Sequence, residues 1–344
     1  MENNSNDEIN TKAAAPSNIA IVKYWGKKGV QKPINPSISF TLSKAQTYTQ
    51  VNYQASHTPL QINFSFEGKN KDDFLPKLYT LVDRVKDFLP FLHSGTLNIA
   101  SENTFPHSCG IASSASSMAS IAHALLDVQK QLSPDAVKMN EQVLLSKMAR
   151  LGSGSACRST SHGWALWGKT PAHSQSSNSY SIPLTPSIHP LFNTLNDTIL
   201  IIRKGAKAIS SSMGHQLMNN HPYRHGRINQ ANTNIVKLLS ALKSGDFNKF
   251  AQVCEEEAMS LHGLMMSSTP SYSLLTPETI HAIELIKQYK AHYQAPLTFT
   301  LDAGPNIHLI YPQSHSHVIK PFIKKYLQPL CENQEILYDK ISGN

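Results

Sequence analysis

Asn103-Thr-Phe-Pro-His-Ser-Cys-Gly-Ile-Ala-Ser-Ser-Ala-Ser-Ser-Met118 runs without a break into Ala-Ser-Ile-Ala-His-Ala-Leu-Leu126, and this stretch decides the architecture. Small residues fill both the loop and the first helical turns, so backbone N–H groups can approach a ligand with no side chain in the way. A helix N-terminus adds about half a positive charge, and the two features together suit a triphosphate. Ser113 or Ser114 offers a hydroxyl to Mg²⁺ or to a phosphate oxygen. The stretch is not a Walker A loop, which needs Gly-Lys-Ser/Thr, nor a dinucleotide fingerprint, which needs Gly-x-Gly-x-x-Gly. Taken alone it fits equally well a tightly packed helix of small residues.

Outward from this loop, residues 96–100 read as the strand that feeds it. Residues 73–88 carry apolar side chains at 74, 75, 78, 81, 82, 85 and 88, the spacing of an amphipathic helix, stopped by Pro90. Upstream, the runs 19–24, 37–42, 47–53 and 61–66 alternate or are β-branched between Gly, Pro and Asn, which predicts strands. Residues 1–11 are polar with little to bury and read as a disordered tail. Downstream we expect a helix over 135–151 ending at Gly152, and a strand over 163–168. The Ser/Pro-rich stretch 169–190 reads as an inter-domain connection. Beyond it come a strand at 198–202, helices at 228–242, 247–266 and 277–289, strands at 297–301 and 307–311, and a helix at 318–327. The class is α+β, with an N-terminal domain over 12–188 and a C-terminal domain over 189–344.

The bulk numbers fit that division. A chain of 344 residues with 40% hydrophobic content has the length of about two domains. Its 31 Lys and Arg outnumber 23 Asp and Glu, so anionic ligands are favoured. The basic excess is diffuse, without a long Lys/Arg run or a base-stacking motif, which argues against nucleic acid as a partner. The first twelve residues lack the cationic start and apolar core of a signal peptide, and no apolar run is long enough to cross a membrane. Cys109, Cys157, Cys254 and Cys331 are far apart, which indicates neither a disulfide framework nor a zinc site and fits a reducing cytoplasm. The sixteen histidines show no metal-ligand spacing.

Three more segments carry chemistry. In Arg150-Leu-Gly-Ser-Gly-Ser-Ala-Cys-Arg-Ser159 a Gly-Ser-Gly-Ser backbone makes an anion nest, and Arg158 can grip a carboxylate or phosphate with two N–H groups. Gly152 also reads as a helix C-cap. In Ala15-Pro-Ser-Asn-Ile-Ala-Ile-Val-Lys-Tyr-Trp-Gly-Lys27 a lysine ends an apolar run, and Lys23 is costly there unless it meets an anion or lies on an edge strand at the surface. In Leu301-Asp-Ala-Gly-Pro-Asn306 a single carboxylate, Asp302, is presented from a tight turn.

With Ile21-Val-Lys-Tyr-Trp-Gly-Lys27, Pro36-Ser-Ile-Ser39, Ser101-Glu-Asn-Thr-Phe-Pro106, Gly110-Ile-Ala-Ser-Ser114, Gly152-Ser-Gly-Ser-Ala-Cys-Arg-Ser159, Ser210-Ser-Ser-Met-Gly214 and Asp302-Ala-Gly-Pro-Asn306 in this order, the chain resembles the diphosphomevalonate decarboxylases of the GHMP kinase superfamily. The resemblance implies a two-domain GHMP kinase-like fold, its first half like ribosomal protein S5 domain 2 and its second a ferredoxin-like α/β sandwich. It implies ATP-dependent decarboxylation of (R)-5-diphosphomevalonate to isopentenyl diphosphate in the mevalonate pathway of isoprenoid biosynthesis, with ATP and Mg²⁺, by a cytoplasmic homodimer. It makes Asp302, Lys23 and Arg158 the catalytic set: Asp302 takes the proton of the substrate's tertiary hydroxyl, Lys23 keeps that carboxylate ionised and placed, and Arg158 grips the substrate carboxylate. Tyr24, Trp25, Gly26, Lys27, Ser153, Gly154, Ser155, Ala156, Cys157, Ser211 and Ser212 fall on substrate-binding positions, with Ser211 near the transferred phosphoryl group. Pro106, Gly110, Ala112, Ser113 and Ser114 fall on the ATP loop, with Ser113 or Ser114 at the metal.

The chain departs from the family at His107-Ser108-Cys109, where many members have Thr-Ala-Ala, and the family's basic residue after the Gly68 turn falls on Lys69 or Lys71. Three other readings remain. A phosphomevalonate decarboxylase shares the chemical centre and differs only in its phosphate grip. A mevalonate 3-kinase-like enzyme lacks the Asp and Lys pair that this chain has. A non-catalytic binding protein on the same scaffold would have lost a catalytic residue, and none is missing.

Overall fold

A computed structural model describes residues 8–105, 111, 113–136, 139–184, 187–205 and 209–343. β1 (Glu8–Val22) turns through a short hairpin, β2 (Lys27–Lys28) with β3 (Lys32–Pro33), into β4 (Ser37–Pro59), a strand of 23 residues. β1 lies antiparallel along one edge of β4, from Glu8 opposite Gln54 to Val22 opposite Ile38. The other edge of β4 is divided. Its Thr47–Gln54 portion pairs with β7 (Ser94–Asn103), and its Ser37–Phe40 portion pairs with β8 (Trp164–Trp167). β5 (Gln61–Phe66) and β6 (Lys69–Asn70) extend the sheet beyond β7, and β9 (Ser181–Pro183) extends it beyond β8.

Three helices cover one face of this sheet: α1 (Leu75–Val85), α2 (Ser113–Leu132) and α3 (Glu141–Gly152). α1 buries Leu78, Leu81, Val82 and Val85, the stripe its periodicity predicts. α2 buries 12 of its 20 residues, and its alanines and serines let it lie close to the sheet: Ser116 and Ser120 bond to Thr47 and Thr49 of β4 at 2.7 Å each. α3 begins at Asn140, whose side chain accepts the Val143 N–H. That cap places the helix start six residues after the expected one.

The second half is a four-stranded antiparallel sheet in the order β11 (Thr298–Leu301), β12 (Ile307–Pro312), β10 (Leu195–Leu200), β13 (Ile336–Lys340). α7 (Pro277–Tyr293) and α8 (Ser316–Phe322) pack on one face. The other face meets α5 (Arg224–Ser244) and α6 (Phe247–Met266), and through them β1, β4 and β8, in one shared core. α4 (Ser211–Leu217) stands apart, with Gly214 against Trp25.

Further expectations change. The stretch 169–190, read as an inter-domain connection, contributes β9 to the first sheet through its pairing with β8. Glu8 to Thr11, read as part of a disordered tail, are the first rungs of β1: their backbone pairs with β4, Ile9 packs on the core, and Thr11 donates to the Ala124 carbonyl at 3.0 Å. Local polarity is overridden there by a ready partner strand. Gly152 closes α3, but not as a left-handed cap. A Cβ on it would lie 2.9 Å from the Met118 sulfur, so glycine permits the approach of α3 to α2. Among the described residues no helix is long and apolar enough to cross a membrane.

The two halves are sewn together at the chain's last strand. Ile341 bridges to Leu42, and the Ser342 N–H reaches the Thr41 carbonyl at 2.7 Å. The Asp339 carboxylate accepts the N–H groups of Ser43, Lys44 and Ala45 at 3.1, 2.9 and 2.8 Å. Asp339→Ala strands three donors at this joint and should cost about 3 kcal/mol, read as a lower urea midpoint by tryptophan fluorescence. An unchanged midpoint would mean that water replaces the carboxylate at no cost.

Candidate active site

A cleft of about 730 Å³ opens where the end of β1, α1, the start of α2, the 152–158 turn, α4 and the Asp302 turn converge. Its described lining holds five cationic side chains, Lys23, Lys27, Lys77, Arg84 and Arg158, against one carboxylate, Asp302. Such a surface is built for a polyanion.

Lys23 follows directly on β1, 2% exposed, and its Nζ meets Asp302 Oδ1 at 2.9 Å. The anion that the sequence required is therefore the carboxylate 279 positions away. Its main chain is fixed as firmly as its side chain. The Lys23 N–H donates to Glu257 Oε2 at 2.8 Å, and its carbonyl accepts from Arg227 Nη2 and Asn35 Nδ2, both at 2.9 Å. Arg227 and Glu257 are themselves a buried bidentate pair at 2.8 and 2.6 Å, with Asn234 donating to the same carboxylate. The Asp302 turn is held from the other side. Its carbonyl accepts from His262 Nε2 at 3.1 Å and from the Gly304 N–H at 2.7 Å, while Thr279 donates to the Pro305 carbonyl and Asn306 accepts the Arg203 N–H.

Arg158 is 2% exposed. Its Nε donates to Asn18 Oδ1 at 3.2 Å, its Nη1 donates to Ser37 Oγ, and its Cζ lies 5.7 Å from the Trp167 ring centre. Of five guanidinium N–H groups three remain, enough for a carboxylate. Burial lowers the pKa of this guanidinium, and Asp302 is among the groups that oppose the shift.

On the same Trp167 ring, Tyr24 packs edge-on at 4.7 Å, and it also packs against His215 at 4.4 Å. Its hydroxyl is buried without a partner among the described residues, and burial pushes its pKa upward, so it stays a neutral donor. A Cβ on Gly154 would lie 2.7 Å from that oxygen, which is why the turn carries glycine there. His215 also packs on Trp25 at 4.7 Å, and its Nδ1 accepts the Gly26 N–H at 2.8 Å. Burial, and then the Lys27 charge, push the His215 imidazole down to about 3. Lys27 is itself lowered by burial and by Arg84.

Two family models match in succession: the diphosphomevalonate decarboxylase-like N-terminal domain over 15–181 and the mevalonate 5-diphosphate decarboxylase C-terminal domain over 198–342. The diphosphomevalonate decarboxylase of Gibberella zeae is 30% identical over 89% of this chain and 81% of its own length. That of Debaryomyces hansenii is 30% identical over 91% and 82%. The chain belongs to the diphosphomevalonate decarboxylase family. Mevalonate diphosphate decarboxylase from Staphylococcus aureus superposes with a TM-score of 0.84 at 28% identity, covering 98% of this chain and 97% of that one. The protein designated MDDEF, in complex with MVAPP, AMPPCP and magnesium, superposes at 0.83 with 27% identity, covering 98% of each chain. These likenesses carry the GHMP kinase-like α+β fold that the sequence implied.

Of the residues expected at this family's site, Lys23, Tyr24, Trp25, Lys27, Ser113, Ser114, Ser153, Gly154, Ser155, Arg158, Ser211, Ser212 and Asp302 line the cleft together. Three expected there do not line it. Ala156 is in the hydrophobic core, Cys157 is fully buried with its thiol donating to the Gly154 carbonyl and pushed up to about 12 by burial, and Gly26 forms a left-handed turn at φ +94. They shape the wall from behind. Pro106, Gly110 and Ala112, with the His107-Ser108-Cys109 variant, lie outside the described residues. The basic side chains facing the cleft from α1 are Lys77 and Arg84, where Lys69 or Lys71 was expected. Lys77, Thr80 and Arg84 stand at i, i+3 and i+7, one polar stripe on a helix, and that spacing was the available signal. His215, Arg227 and Glu257 had no such signal.

The His215 shift gives stability a pH dependence. Unfolded imidazole titrates near 6.5, and the folded group near 3, so as pH falls the unfolded chain takes up the proton first. The stabilising preference for neutral histidine is fully present above about pH 6.5 and is lost between there and about pH 3. Relative to His215→Asn, the wild-type thermal midpoint should therefore fall from pH 7 to pH 4. Parallel profiles for the two proteins would contradict this.

Proposed function

We propose that this protein decarboxylates (R)-5-diphosphomevalonate to isopentenyl diphosphate with consumption of ATP. The observation that carries the reading is the meeting of Asp302, Lys23 and Arg158 on one wall of a cleft whose remaining charged lining is cationic. The described residues suit ATP and Mg²⁺: Ser113 and Ser114 face the cleft at the start of α2, and a helix of 20 residues directs its free N–H groups there. Bound ATP with its metal would supply the phosphoryl group that turns a tertiary hydroxyl into a leaving group.

The chain's own part is positioning and charge. Asp302 presents a carboxylate to the substrate hydroxyl and accepts its proton, held by Lys23 so that one oxygen stays committed. Arg158, already fixed by Asn18 and Ser37, offers its remaining N–H groups to the substrate carboxylate and keeps that group beside the reacting carbon. As carbon dioxide departs, the electron pair of the breaking carbon–carbon bond becomes the new double bond, and the phosphorylated oxygen leaves with its own pair as inorganic phosphate. The anchored guanidinium holds the carboxylate until the carbon–carbon bond breaks. Lys27, the Tyr24 hydroxyl and Ser153, Ser155 and Ser212 take the phosphate end. A homodimer in the cytoplasm belongs to the same proposal.

An ATP-coupled assay of carbon dioxide release tests the reading, with mono- and diphosphorylated mevalonate as substrates. We expect release with both reagents present and faster turnover of the diphosphate. No release with either would reject the enzyme, and faster turnover of the monophosphate would transfer it to the neighbouring specificity. Asp302→Asn should lower kcat by about 100-fold or more while nucleotide still binds, and wild-type turnover would remove Asp302 from proton transfer. Arg158→Lys should lower kcat/KM by about tenfold or more, because an ammonium cannot reproduce the fork and its anchors to Asn18 and Ser37. Full activity would make Arg158 a structural residue only.

A further inference from the structure

Among the described residues, His215 is the aromatic side chain on the cleft wall for which neither the sequence pattern nor the assigned chemistry has a use. Its ring is half-buried and held from two sides, 4.4 Å from Tyr24 and 4.7 Å from Trp25. The Gly26 N–H occupies Nδ1 as an acceptor, so the neutral ring carries its proton on Nε2. The hydrogen bond found for the ring among the described residues is the one at Nδ1, and the part-exposed side chain lines the cleft. We infer that His215 Nε2–H is a fixed, neutral hydrogen-bond donor to a terminal phosphate of the organic substrate. This inference rests on the decarboxylase reading above.

The stacking decides which phosphate. His215 packs on Tyr24, Tyr24 packs on Trp167 at 4.7 Å, and Trp167 lies under Arg158 at 5.7 Å. The Tyr24 hydroxyl sits against Gly154, in the turn that also carries Ser153 and Ser155. The row therefore starts at the carboxylate grip of Arg158, on the organic substrate's side of the cleft, and leads away from it to His215 beside Lys27, where the far end of that substrate would lie. Neutral donors suit a crowded cationic wall. A further cation there would be repelled by Lys27, itself lowered by Arg84, and burial together with the Lys27 charge keeps the imidazole uncharged. Preorganisation adds to the effect, because a ring clamped between two aromatics loses little freedom when a phosphate arrives.

Two substitutions separate this role from a merely structural one. Asparagine places its carbonyl oxygen near the position of Nδ1 and so keeps an acceptor for Gly26, but has nothing at Nε2. Glutamine places an N–H donor near Nε2 and weakens the Gly26 bond. We expect His215→Asn to fold with a thermal midpoint near that of the wild type, to raise KM for the phosphorylated substrate by about tenfold, and to leave KM for ATP unchanged. His215→Gln should recover most of the substrate affinity. Inorganic pyrophosphate, titrated calorimetrically into the full-length chain, should bind His215→Asn about tenfold more weakly than wild type. The reverse order, with asparagine like wild type and glutamine defective, would show that His215 only supports the turn. A change confined to KM for ATP would also overturn the assignment. If wild type released no carbon dioxide yet bound pyrophosphate through His215, the reaction would fail and the phosphate contact would stand.

Discussion

Arg227 and Glu257 form a guanidinium–carboxylate pair that is 1% and 0% exposed, and the reactive centre is hung from it. Together they grasp the backbone of Lys23 by both its N–H and its carbonyl, so a pair on α5 and α6 sets the position of a residue at the end of β1. A buried pair of this kind adds little net stability, because desolvation offsets most of the attraction. Its return is geometric. With Asn234 and Asn35 completing the network, the carboxylate and the Lys23 carbonyl are each satisfied from fixed directions. The Lys23 side chain then leaves this frame and reaches Asp302.

The cleft is arranged around that frame by charge. The Asp302 carboxylate, the proposed base, is placed among cations, and its neighbours differ in kind. Lys23 is compact and buried, suited to holding one oxygen, whereas Arg158 presents a planar fork already committed on one side to Asn18 and Ser37. Beyond Arg158 and Trp167 the row continues with neutral side chains, Tyr24 and His215, kept uncharged by burial. The wall thus sets neutral dipoles, Tyr24 and His215, between the cations Arg158 and Lys27.

Periodicity showed the elements that bury a regular face. α6 occupies 247–266 and β5 occupies 61–66, both as expected, because each carries a full apolar stripe or a β-branched run. The cost of burying Lys23 pointed to an anionic partner, and Asp302 is that partner. What stayed hidden depends on contacts remote in sequence. α4 is seven residues long, polar, and shaped by the fit of Gly214 to Trp25 rather than by any pattern of its own. β13 is a short strand whose role is to offer Asp339 to β4. Glu257 is a polar residue within a helix that reads as amphipathic, and only its neighbours on α5 reveal it as a support.

The distance along the chain between Lys23 and Asp302 has a kinetic meaning. Their contact closes a loop of 279 positions, and such closures come late because the entropy of the intervening chain is lost before the contact repays it. A nascent protein can complete the first sheet and its three helices while the base and its lysine are still apart. The chemical centre therefore appears only when the second sheet has docked and β13 has joined β4. A chain folded in its first half alone would carry Lys23 and Arg158 without Asp302, so the proposed centre is incomplete until the second half is in place.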